Sequence, residues 1–164
     1  MNLDLFTQAA AHLAGRPVTI RWQAPVYDYL LSDAYRTREG GAIVDIYPEL
    51  NREQIWAKFL YEIARIRLDW ATMKPSDIWK RDPGSLREPT PNRQLVDQMP
   101  QVRAADRLAA TWQKHAQAQA WRYERTDRDR YDMHLLALCD YYPSETVKRA
   151  VKSALAGLKR GGRK

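Results

Sequence analysis

The chain has 164 residues, enough for one domain with a real core, and its 45% hydrophobic content with six Trp and nine Tyr excludes a disordered chain. Its one cysteine, Cys139, excludes an internal disulfide framework and reads as a small buried apolar residue in a reducing compartment. The net charge of +7 is uneven: from Pro143 onward seven bases accompany one acid, Glu145, so a formal +6 sits there.

Leu3, Phe6, Ala10 and Leu13 share one helical face, and Gly15 and Pro17 end that helix. Val18 to Trp22 alternates at period two and predicts a strand closed by Pro25. Tyr27 to Tyr35 fits either a strand or a short helix, and Arg36 to Gly41 reads as a polar turn. Ala42 to Tyr47 is the clearest strand, closed by Pro48. Asn51 is a helix cap, and the helix it opens runs to about Trp70. Its apolar positions Ile55, Trp56, Phe59, Leu60, Ile63 and Ile66 form a belt too broad for a surface helix.

Residues 73–100 hold five of the nine prolines, so this stretch is expected to be a wrapped loop anchored by Trp79. A long helix follows, from Gln101 to about Arg125. Its stripe is Ala105, Leu108, Ala109, Trp112, Ala116, Ala120 and Tyr123. Tyr131 to Tyr141 predicts a shorter helix. The last helix ends near Lys159, with Pro143 in its first turn and Tyr142 or Ser144 as its cap. No apolar run approaches the roughly 20 residues of a membrane span. The N-terminus lacks the basic start and apolar core of a secretory signal, so a cytosolic protein is expected.

Tyr61-Glu62-Ile63-Ala64-Arg65 has the frame of His-Glu-x-x-His. In that motif two imidazoles on one helical face bind zinc, and the Glu activates a water. Tyr is a poor zinc ligand, and Arg keeps its proton. On the later helix, Val102-Arg103-Ala104-Ala105-Asp106-Arg107-Leu108-Ala109 has the frame Glu-x-x-Ala-Asp-x-x-Ala, with Val102 at the acid position. With these motifs and this order of elements, residues 18–125 resemble the ImmA/IrrE family of zincin-like metallopeptidases of phages and mobile elements. The resemblance implies a metal site whose three ligand positions have become Tyr61, Arg65 and Val102, hence a pseudoenzyme with no metal and no cofactor.

His12, His115, His134 and Cys139 are the remaining ligand candidates. Only His134 and Cys139 lie close, five apart, which is off one helical face. The old site would then hold an ion pair, with the Arg65 guanidinium meeting Glu62 or Asp106. A metal-free acid–base pair of Tyr61 and Glu62 is a further reading. On the last helix, Val147, Ala150, Val151, Ala154, Leu155 and Leu158 make an apolar face. Lys148, Arg149, Lys152, Lys159 and Arg160, with Arg163 and Lys164 beyond, make a basic one. That face suits a DNA or RNA backbone or an acidic protein surface, or it is the solvated side of a docked helix. A membrane surface is disfavoured, because the apolar face has no Trp, Phe or Ile to insert.

The expected fold is α+β: a small sheet on a zincin-like helical core (residues 1–126), with a helical C-terminal extension (127–164). The expected function is non-catalytic binding in a prokaryotic host cell. It would be that of a phage or mobile-element accessory or inhibitor acting through protein or nucleoprotein contacts. Alternatives are a nucleic-acid-binding module using the basic helix, and a metallopeptidase with an unrecognised site.

Overall fold

Asn2 starts the first helix, α1 (Leu3–Ala14), by accepting on its side chain from the backbone N–H groups of Asp4 and Leu5. Gly15 ends it at φ 68°, a left-handed conformation that favours glycine. A Cβ there would also strike the Arg67 guanidinium, which donates to the Ala14 carbonyl at 2.8 Å. The computed structural model describes the backbone of residues 1–25, 30–72 and 100–161, and their side chains except at 69–72 and 159–161. The 73–99 stretch with Trp79, the Tyr27 to Tyr29 part of the ambiguous segment, Arg163 and Lys164 therefore lie outside the described residues.

Three strands follow α1: β1 (Val18–Trp22), β2 (Ser32–Arg36) and β3 (Ala42–Ile46). Their order is β1-β3-β2, with β1 parallel and β2 antiparallel to the central β3. From Ser32 onward the ambiguous segment is thus a strand. It extends to Arg36, because Tyr35 and Arg36 pair with Ile43 and Ala42. The turn shrinks accordingly to Thr37–Gly41, with Gly40 at φ 84° and Thr37 Oγ1 accepting from the Gly41 N–H.

Helix α2 (Arg52–Thr72) opens with a capping box: Asn51 Oδ1 accepts from the Gln54 N–H, and Gln54 Oε1 accepts from the Asn51 N–H. Helix α3 (Pro100–Gln119) begins one residue before the expected start, where proline's missing N–H is no loss. It tightens into a 3₁₀ turn, Ala120–Tyr123. Asp129 caps α4 (Arg130–Leu136) and also pairs with Arg52 across the fold. A π turn, Ala137–Tyr141, leads to α5 (Ser144–Gly161). The cap of α5 is neither Tyr142 nor Ser144: the Pro143 carbonyl accepts the first helical bonds, from Thr146 and Val147.

The apolar periodicities become the core. Phe59, Leu60, Ile63, Ile66 and Leu68 of α2 are buried against Leu108, Trp112 and Ala116 of α3 and against Phe6 and Leu13 of α1. Phe6 packs edge-on against Phe59, with centroids 4.8 Å apart. The inward strand face adds Val18, Ala42, Val44 and Ile46. Leu135, Leu138, Tyr142, Val147 and Val151 belong to the same cluster, so the helices after residue 127 share the core of the first 126. The fold mixes five helices with one small sheet among the described residues. None of these helices is long and apolar enough to cross a membrane.

Candidate site at the Glu62–Arg65 ion pair

Glu62 stands one position from Ile63 on a helix buried on most sides, so its carboxylate enters the core at 2% exposure. A buried carboxylate must find donors or lose its charge. Ser32 Oγ, on edge strand β2, donates to Oε1 at 2.7 Å, and Arg65 Nη1 donates to Oε2 at 3.1 Å. The same Nη1 reaches Asp33 Oδ1 at 3.2 Å, so one guanidinium holds carboxylates from a helix and a strand. Burial pushes the Glu62 carboxyl above its usual range, against the opposing pull of Arg65 and of the Ser32 hydroxyl.

Asp33 is also the register partner of Asp45 on β3. Two acids placed directly opposite destabilise an antiparallel pair unless cations flank them. Asp45 is fully buried and bidentate to Arg21, with Nε to Oδ1 at 2.7 Å and Nη2 to Oδ2 at 2.9 Å. Gln23 and the Tyr35 hydroxyl also donate to Oδ2. A continuous charge chain, Arg21–Asp45–Asp33–Arg65–Glu62, thus runs from the sheet into α2. At Glu62 burial prevails over the pull of Arg65 and Ser32, and the neighbouring Asp33 charge adds to it.

Arg65 and Glu62 meet as the sequence suggested, and the added partners are Ser32 and Asp33. Sequence spacing could not reveal them, because they approach through strand pairing rather than along the helix. Tyr61 is half-buried against the core, Val102 is half-buried on the first turn of α3, and Asp106 is exposed on α3. His12 Nε2 lies 2.6 Å from the Tyr142 carbonyl. His134 is buried beside Trp56 and Tyr131, and burial holds its imidazole below the usual range. Burial pushes the Cys139 thiol up to about 11, which keeps it protonated at neutral pH. Among the described residues no three His, Cys, Asp or Glu side chains converge as metal ligands would.

On α5, Val147 and Val151 are buried and Ala150, Ala154, Leu155 and Leu158 half-buried, so the helix docks by its apolar face. Arg149 and Lys152 are exposed, and Lys148 pairs with Glu145 at 2.6 Å. The side chains of Lys159 and Arg160 fall outside the described ones. A cavity of about 310 Å³ lies between α3 and α5, lined by Arg107, Leu108, Thr111, Ala150, Ser153 and Ala154. No protein-family model matches the chain, and no curated protein or solved structure matches it.

Arg65→Met leaves Glu62 and Asp33 without their shared cation. It is expected to cost about 2–3 kcal/mol of unfolding free energy, reduced from a fully buried pair because Arg65 is partly exposed. In the Glu62→Gln background the same change is expected to cost distinctly less; equal costs in the two backgrounds, read from urea midpoints, exclude the coupling.

A second expectation concerns pH. The folded carboxyl of Glu62 binds its proton more tightly than the unfolded one, whose usual value is 4.5. Below that value both states are protonated and burial carries no charge. As pH climbs past it the unfolded state ionises first, and stability falls until the folded carboxyl ionises too. Glu62→Gln removes this loss. Its stability relative to wild type is expected to rise with pH through that window, in urea unfolding at stepped pH.

Proposed function

We propose that this chain is a non-catalytic binding protein built on a zincin-like scaffold. An ion pair occupies the place of the metal, and the protein acts through protein or nucleoprotein contacts in the cytoplasm of a prokaryotic host. The observation that carries the reading is the state of Glu62: both of its oxygens already have internal partners, Ser32 and Arg65. A general base must instead reach a water or substrate proton. The order of elements supports the scaffold, with a helix, three strands, a buried helix carrying Glu62 and a long helix packed against it. Arg65 brings to this place a permanent positive charge, the electrostatic part of what a cation would supply.

A second reading has its own observation. Helix α5 docks by its apolar side and leaves Arg149 and Lys152 exposed, as a phosphate backbone or acidic surface would require. In this reading the basic helix is a nucleic-acid-binding module.

If the scaffold is zincin-like, restoring its ligands restores a site. The Tyr61→His, Arg65→His, Val102→Glu variant is expected to take up one zinc per chain by elemental analysis, while the wild type takes up none. Stoichiometric zinc in the wild type, together with peptide hydrolysis, overturns the pseudoenzyme reading. The binding role has a separate readout. A tagged chain recovered from its natural host is expected to retain a protein partner after nuclease treatment; loss of all partners on that treatment favours the basic-helix reading.

A further inference from the structure

Four large hydrophobic side chains are exposed among the described residues, and two of them flank a single guanidinium. They are Trp121, at 65% the most exposed of the four, and Tyr141 at 38%. The Arg122 Cζ lies 4.9 Å from the Trp121 ring centroid and 3.9 Å from that of Tyr141. Arg122 is held in place: its Nε donates to Gln119 Oε1 and its Nη2 to the Tyr141 hydroxyl, both at 2.9 Å. The ladder continues inward through His115, whose ring lies 5.9 Å from Tyr141 and 4.2 Å from Tyr142, at 21° to each. Tyr142, at 3% exposure, roots it in the core.

Trp121 is therefore the outer rung of a stack of flat groups anchored inside the protein. An indole left largely in water forgoes the burial that Trp56 and Trp112 obtain. A planar, sequence-tolerant face beside fixed guanidinium suits an unpaired base. A duplex hides its base faces in its own stack, which selects single strands. Of the chain's +7 a formal +6 lies from Pro143 onward, and exposed Arg149 of that stretch, whose charge acts on Tyr142, lies toward the root of the ladder, which favours a polyanion. The acids Glu124 and Asp140 thin the local field, so stacking carries more of the recognition than charge does.

We propose that the Trp121–Arg122–Tyr141 stack is a docking surface for single-stranded nucleic acid, on which an unpaired base extends the ladder over Trp121. The surface is separate from the Glu62–Arg65 site, and its test does not depend on that site's history. The probe is a labelled short oligothymidylate, compared with an abasic oligomer of the same length by fluorescence anisotropy. The wild-type protein is expected to bind the base-bearing strand more tightly than the abasic one, with a shallow dependence on salt. Trp121→Ala is expected to weaken oligothymidylate binding on the order of tenfold, and Trp121→Phe, which keeps a plane, to recover most of it. Equal wild-type affinity for the two oligomers overturns the proposal, whatever the variants do. Unchanged affinity in Trp121→Ala also overturns it, as does loss in that variant of a protein partner alone.

Discussion

The fold is organised around one guanidinium. Arg65 reaches back along α2 to Glu62 and across to Asp33 on the edge strand, so it ties the orientation of the helix to that of the sheet. Neither carboxylate is well placed without it. Glu62 is inside the core, and Asp33 stands opposite Asp45 in the strand register. Arg21 does the corresponding work for Asp45, from the neighbouring parallel strand. Apolar packing alone sets α2 against the sheet without fixing its rotation. The charge chain supplies that direction, since turning the helix away from β2 strands two acids, Glu62 and Asp33.

The same chain shows what could be read from the residues alone. The helices were legible because their apolar positions recur at helical spacing and several of their ends carry explicit signals: Gly15, Asn51 and Pro143. The i, i+3 pairing of Glu62 with Arg65 was legible because helix geometry makes it local. Ser32 and Asp33 were not, because they come to α2 through the β1-β3-β2 order, which no spacing encodes. β2 itself was half-hidden: Ser32-Asp33-Ala34-Tyr35-Arg36 carries little of the β-branched character that marks β1 and β3. It is a strand because β3 offers it a hydrogen-bonding edge, and its Ser32, Asp33 and Tyr35 reach Glu62, Arg65 and Asp45.

The C-terminal helices behave as part of the same body. Tyr142, Val147 and Val151 enter the core beside Leu108 and Trp112, so α5 is a wall of the domain as well as a carrier of charge. Its facing positions on α3 and α5 are small or flexible: Ala150, Ser153 and Ala154 against Arg107 and Thr111. Small side chains there leave the cavity between the two helices. The docking of α5 buries Val147 and Val151, with Ala150, Ala154, Leu155 and Leu158 packed against the same core.

Two arginines in this chain meet their electrostatic needs in opposite ways. Arg65 is paired with two carboxylates, Glu62 and Asp33, so its charge is matched within the fold. Arg122 is bound by an amide, a phenol and two aromatic faces, all of them neutral. Cation–π contact holds a guanidinium in place without cancelling its charge. The first arrangement stabilises a junction, and the second leaves a fixed positive plane beside an exposed indole. The molecule therefore separates its internal charge, gathered where the sheet meets α2, from an accessible cation at the far end of α3.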